Sequence, residues 1–159
     1  MEKTLLVDLT KCTGCEACVD VCSARGTKAY SEQVSRIRIS RDEPRAVFTP
    51  LVCEQCREHP CVEACPVEAI EYDPRLSIFT VDQEACTACG SCQEACPYDG
   101  IFVTEETALK CDLCGGQPAC VEVCYPQALK YVEVNEAAIL ADLQLKITKT
   151  RELRGDLHD

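Results

Sequence analysis

Alternation of apolar and polar residues predicts short strands at Thr4 to Leu9, Ser35 to Ile39, Ala46 to Phe48, Ala69 to Tyr72 and Ser77 to Val81. Asp42-Glu-Pro44 and Asp73-Pro74 supply turn residues, so the last four stretches read as two hairpins. An internal repeat links Val62-Glu-Ala-Cys-Pro-Val-Glu-Ala-Ile-Glu-Tyr72, Gln93-Glu-Ala-Cys-Pro-Tyr-Asp-Gly-Ile-Phe-Val103 and Val121-Glu-Val-Cys-Tyr-Pro-Gln-Ala-Leu-Lys-Tyr131, and it sets Ile70, Ile101 and Leu129 at strand starts. From Asn135 to Leu153 the pattern turns helical. Ile139, Leu140, Leu143 and Ile147 share a face, Asn135 can cap the start, and Lys146, Lys149 and Arg151 lie near the end. Such a helix would pack on its own domain or meet a partner. The predicted class is α+β, with a C-terminal helix and tail over 135–159.

Composition changes the picture most through cysteine. Sixteen of the 159 residues are cysteine, in four runs: Cys12/15/18/22, Cys53/56/61/65, Cys86/89/92/96 and Cys111/114/120/124. The first and third read C-x2-C-x2-C-x3-C, and the others lengthen only the middle gap, the run that wraps a cubic 4Fe-4S cluster. Three thiolates of a tight loop hold three iron corners, while the fourth cysteine, followed by proline, reaches a second cluster. Pro66 and Pro97 directly follow Cys65 and Cys96, Pro126 follows Cys124 by one residue more, and Ser23 replaces proline after Cys22. The residue four past each last cysteine is small (Gly26, Ala69, Gly100, Ala128), as expected where backbone approaches the cluster. The acids two before it, Asp20, Glu63, Glu94 and Glu122, read as the wet side of a helical turn.

A disulfide scaffold and structural zinc knots are the competing readings. The opening Met1-Glu-Lys-Thr-Leu-Leu6 lacks a signal-peptide core, which argues against an oxidising compartment and for the cytoplasm. Quartets within 11 to 14 residues, two of them closed by Cys-Pro, do not resemble separated zinc knuckles. Aromatic residues make up only 5% of the chain and tryptophan is absent, so four 4Fe-4S clusters must supply much of the folding free energy.

Connecting lengths indicate which runs pair. The 20 residues between Cys65 and Cys86 contain a hairpin able to reverse the chain, whereas 30 separate Cys22 from Cys53 and 14 separate Cys96 from Cys111. The second and third runs then form an inner unit, and the first and fourth an outer one. The expected ligand sets are Cys53, Cys56, Cys61 with Cys96; Cys86, Cys89, Cys92 with Cys65; Cys12, Cys15, Cys18 with Cys124; and Cys111, Cys114, Cys120 with Cys22. First-with-second and third-with-fourth exchange is the alternative. The corresponding domain is residues 1–134, with an inner unit of about 50–105 nested in an outer unit of about 1–30 plus 106–134.

A net charge of −11 excludes a general nucleic-acid surface or anionic-membrane surface. Residues 25–45 are locally basic through Arg25, Lys28, Arg36, Arg38, Arg41 and Arg45, which fits either a solvated hairpin or a dock for a partner. No nucleotide-binding glycine turn, phosphate loop or nucleophile with a base occurs, so no catalytic site is expected. His59 reads as a loop residue able to tune a cluster, and His158 as part of a tail. No stretch of about 18 apolar residues exists to span a membrane.

Lys11-Cys-Thr-Gly-Cys-Glu-Ala-Cys18, Pro60-Cys-Val-Glu-Ala-Cys-Pro66, Ala88-Cys-Gly-Ser-Cys92, Lys110-Cys-Asp-Leu-Cys114 and Pro118-Ala-Cys-Val121 together resemble the four-cluster ferredoxin-like subunits of molybdenum and tungsten oxidoreductases, hydrogenases and carbon monoxide dehydrogenases. The resemblance runs from about Thr4 to Glu133. It implies a doubled bacterial ferredoxin-like fold and single-electron relay between a catalytic partner and a ferredoxin, a flavin subunit or another iron–sulfur protein. The compact form is similar to subunits serving tungsten enzymes of the aldehyde:ferredoxin oxidoreductase type, benzoyl-CoA reductases among them. A free polyferredoxin and a redox-sensing regulator are the other readings of the same clusters.

Overall fold

Strand β1 (Lys3–Val7) pairs antiparallel with the last strand, β8 (Leu129–Glu133), Val7 opposite Leu129, so the two ends of the cysteine-bearing region lie side by side. The computed structural model describes residues 3–133; the helix expected over Asn135 to Leu153, and His158, lie outside the described residues. Three hairpins follow in chain order between these strands. They are β2 (Ile37–Asp42) with β3 (Val47–Val52), β4 (Ile70–Asp73) with β5 (Ile78–Val81), and β6 (Ile101–Val103) with β7 (Ala108–Lys110). Each repeat starts its strand at the expected residue: Ile70, Ile101 and Leu129 open β4, β6 and β8. The β2–β3 hairpin runs longer than the alternation predicted, to Asp42 on one side and Val52 on the other. Ile37 faces Val52 across it, so the second strand delivers the chain straight into Cys53.

The helices are short because proline or a left-handed residue stops them. Helices α2 (Pro60–Glu63), α3 (Ser91–Glu94) and α4 (Ala119–Glu122) are single turns. Helix α1 (Ala17–Thr27) is the exception, with 11 residues. Ser23 stands where the second and third runs have proline, so nothing interrupts the helix. Its hydroxyl, fully buried, donates to Asp20 O at 2.9 Å and accepts from Ser31 N–H at 3.2 Å. The run-on corrects one expectation. Gly26 is an exposed residue inside α1, where a Cβ would find ordinary contact with Arg36 at 3.5 Å, and it makes no close approach to a thiol loop. The four acids placed on the wet side of the turns, Asp20, Glu63, Glu94 and Glu122, are all exposed.

Small aliphatic residues fill the core. One cluster gathers Leu5, Val7, Val19, Ile37, Leu113 and Leu129, and a second gathers Ile70, Ile101 and Ala108. Cysteines interleave with both. Four arginines of the basic hairpin have partners within the chain. Arg36 pairs with Asp112 at 3.4 Å, Arg41 with Glu16 and Arg45 with Asp42 at 3.2 Å, while the Arg38 guanidinium lies 4.1 Å from the Phe102 ring centre. The first two ion pairs and the ring contact fasten the hairpin to the first run, the fourth run and β6. Each of these four charges thus has an intramolecular partner.

Candidate metal centres

The same backbone device shapes all four thiol loops. The residue just before the second cysteine of each run is left-handed: Gly14 (φ 69°), Gln55 (φ 50°), Ala88 (φ 53°) and Leu113 (φ 51°). The turn after the last cysteine repeats the device at Glu68, Asp99 and Gln127, with φ between 51° and 55°. For non-glycine residues this conformation costs about 1–2 kcal/mol each. Strain recurring at equivalent positions marks an imposed geometry. It curls the peptide so that successive thiols face one point and backbone N–H groups turn toward sulfur.

Those N–H groups reach the fourth thiol of every run. Ala69 N donates to Cys65 Sγ at 3.3 Å, Gly100 N to Cys96 Sγ at 3.4 Å, Leu129 N to Cys124 Sγ at 3.4 Å and Arg36 N to Cys22 Sγ at 3.4 Å. In the second and third runs the donor is the small residue four past the cysteine. Tyr125 pushes proline back by one place in the fourth run, and the donor moves from Ala128 to Leu129. The first run, lacking the turn altogether, uses Arg36 at the start of the inserted hairpin. Gln55 N donates likewise to Cys53 Sγ and Ala108 N to Cys86 Sγ, both at 3.4 Å. Such donors stabilise a thiolate and raise the reduction potential of an attached cluster.

The chain brings its thiols together across runs. Cys124 joins Cys12, Cys15 and Cys18 around a cavity closed by Ile39, Pro50 and Leu129. Cys65 joins Cys86, Cys89 and Cys92 around another, walled by Ile70, Val81 and Ala108. Cys96 is close enough to influence Cys56 and Cys61 electrostatically, and Cys22 likewise acts on Cys114 and Cys120. All sixteen are free thiols. Burial pushes Cys18 and Cys120 up to about 12, and Cys56 and Cys61 up to about 11. Cys111, buried in the core, is raised well above the ordinary thiol range for the same reason. Cys89 is lowered by its hydrogen bonds with Ser91. Without bound metal the buried sites therefore hold neutral thiols, and loading them releases protons.

Thiols of different groups also lie within electrostatic reach of one another. Cys111 of one quartet feels the charge of Cys53 of another, and Cys120 that of Cys18. Of the sixteen cysteines only Cys89 and Cys15 are exposed, one in each of the two thiol-lined cavities.

His59 meets the second run differently from its sequence reading. Its imidazole packs on Phe79 with ring centres 4.4 Å apart, while its backbone N–H is the group that serves Cys56. Burial lowers the imidazole pKa, with the Lys110 charge acting in the same direction. The sequence reading gave Gln55 no role and took Lys110 only as the residue that opens the Lys110-Cys-Asp-Leu-Cys114 motif. The donor chemistry fits 4Fe-4S clusters: thiols in quartets, loops curled around a cavity, N–H groups aimed at sulfur and an apolar wall. The chain holds four such clusters, matching its 16 cysteines.

Two matches to the 4Fe-4S dicluster domain cover residues 44–134 and 11–69. The chain is 38% identical to the aliphatic sulfonate oxidoreductase, polyferredoxin-like subunit, of Pyrococcus furiosus, over 82% of this chain and 78% of that protein. It is 36% identical to the protein NrfC of Escherichia coli, over 81% of this chain and 64% of that protein. Among solved structures, a chain of the active site complex BamBC of benzoyl coenzyme A reductase with benzoyl-CoA superposes with a TM-score of 0.51 at 27% identity, covering 97% of this chain and 94% of that one. By these matches and by its own thiol loops, the chain belongs to the family of ferredoxin-like 4Fe-4S dicluster domain proteins.

Proposed function

We propose that this chain is the electron-transfer subunit of an oxidoreductase complex. It relays single electrons between a catalytic partner, of tungsten or molybdenum type akin to the aldehyde oxidoreductases, and a ferredoxin, flavin or other redox subunit. The carrying observation is that the two exposed thiols, Cys89 and Cys15, fall in two different thiol-lined cavities, which fits a line of sites in the order Cys86/89/92/65, Cys53/56/61/96, Cys111/114/120/22 and Cys12/15/18/124 with both ends at the surface. Bound 4Fe-4S clusters supply one-electron storage at each site. The chain's own residues supply the rest. Cys53/56/61/96 and Cys86/89/92/65 form an inner unit by exchanging Cys96 and Cys65; Cys12/15/18/124 and Cys111/114/120/22 form an outer unit by exchanging Cys124 and Cys22. Ile70, Leu113 and Leu129 keep water from the sites between them.

Two further facts support this reading. The polyferredoxin-like subunit of P. furiosus is named as part of an oxidoreductase, and the BamBC structure is that of an active site complex. Among the described residues no helix is long and apolar enough to cross a membrane. The test is anaerobic purification of the native protein with whatever binds it, followed by elemental analysis. About 16 irons per chain with stoichiometric tungsten or molybdenum is the expected result. Iron alone, with no second polypeptide, would instead assign a diffusing polyferredoxin.

A further inference from the structure

Lys110 is the one charged side chain fully buried among the described residues, with 4% of its surface exposed. It ends β7 directly before Cys111. Its Nζ donates to Phe79 O at 2.6 Å and to Gln55 Oε1 at 2.8 Å. Neither acceptor is charged. Gln55 in turn donates through Nε2 to Cys111 O at 2.7 Å and through its backbone N–H to Cys53 Sγ at 3.4 Å. The ammonium is thereby locked at the joint between the two middle quartets. Asp73 and Asp112, which share a cleft with it, are engaged by Arg75 at 2.8 Å and Arg36 at 3.4 Å. Among the described residues no carboxylate pairs with Lys110.

A buried cation without a counter-ion costs several kcal/mol unless negative charge elsewhere offsets it. The negative charge available here is that of the thiolate-bound group at Cys53, Cys56, Cys61 and Cys96, and it grows by one unit on reduction. We propose that Lys110 sets the reduction potential of that site, its fixed charge favouring the reduced state and making the site the holding point for an electron in the middle of the line. The inference rests on the ligand assignment proposed above. One electron arrives from the redox partner and stays on the site; Lys110 neither takes nor gives a proton. It acts through space, without touching the sulfur ligands, so it is a positioning residue.

The same contacts could serve only to tie β5, the second run and the fourth run together, and variants separate the two roles. Lys110→Gln and Lys110→Met remove the charge. Lys110→Arg keeps it. Gln55→Met keeps the charge but breaks the ties to Lys110 and Cys111. Anaerobic redox titration followed by electron paramagnetic resonance, with iron counted per chain, reads each potential. We expect Lys110→Gln or Lys110→Met, at full iron, to lower the reduced-to-oxidised ratio of one middle site at least tenfold at fixed ambient potential, about 59 mV for a one-electron couple. Lys110→Arg and Gln55→Met should stay within a few-fold of the parent. Unmoved potentials in both uncharged variants, or equal shifts in Gln55→Met, would overturn the proposal, as would loss of iron from both uncharged variants, which assigns Lys110 a structural role. If the parent chain itself shows fewer than four reducible clusters, the ligand assignment fails first.

Discussion

Gly100 lies against the backbone of Cys53: a Cβ on it would stand 2.7 Å from Cys53 Cα and 2.8 Å from its nitrogen. The contact joins the turn that ends the third run to the loop that begins the second, and the Gly100 N–H also serves Cys96. Backbone cannot yield as a flexible side chain can. Gly100→Ala should therefore part Cys96 from Cys53, cost about 1–3 kcal/mol of stability and lower the iron count by one cluster. Iron analysis and thermal denaturation check this; a full complement with an unchanged midpoint would contradict it.

The crossing of the fourth cysteines makes a second prediction. Cys65→Ala should disturb the same cluster signal as Cys89→Ala, although 23 intervening residues separate them, and a different one from Cys56→Ala in its own run. Paramagnetic resonance of the partly reduced variants distinguishes the signals. Coincidence of the Cys65 and Cys56 effects would mean that each run binds its own cube.

Backbone strain offers a third. Gln127 is exposed and left-handed at φ 55°, in the turn that carries Leu129 to Cys124. Glycine adopts that conformation without a Cβ clash, so Gln127→Gly should raise the stability of the loaded protein by up to about 1 kcal/mol. Its thermal midpoint should rise slightly. A lower midpoint would show that the turn is relaxed as it stands.

Removal of iron and sulfide tests the source of the folding energy. Six of the sixteen cysteines lie in the buried core beside a modest set of aliphatic residues, and burial holds several of these thiols neutral. Without clusters the strained loops lose what compensates them. The apoprotein should lose most of its far-ultraviolet circular dichroism and regain it on anaerobic reconstitution. A native-like spectrum after complete removal would contradict this.

Much of the architecture was legible because the cysteine runs punctuate the chain at fixed intervals. The strand starts at Ile70, Ile101 and Leu129 follow directly from the repeat, and the hairpins at Asp42 and Asp73 from their turn residues. The length of α1 was not legible, since a missing proline announces that a turn is absent without saying how far the helix runs. The return strand Ala108–Lys110 was also missed, being three residues long and lacking a proline or glycine turn. The burial of Lys110 went unread for a more general reason. A lysine beside a cysteine looks like solvent-facing charge, and only the approach of Gln55 and Phe79 from distant segments shows it to be buried. The two family matches overlap between residues 44 and 69, while the thiols meet across runs, because contiguous sequence cannot express a unit built from separated parts.

The central claim is a line of four crossed quartets. Its most direct test is an anaerobic structure of the loaded protein with an iron anomalous map. The account predicts four iron cubes in succession, with Cys124 on the cube of Cys12, Cys96 on that of Cys53, Cys65 on that of Cys86 and Cys22 on that of Cys111. Cys22 bound to the cube of Cys53, or each run closed on a cube of its own, would contradict it.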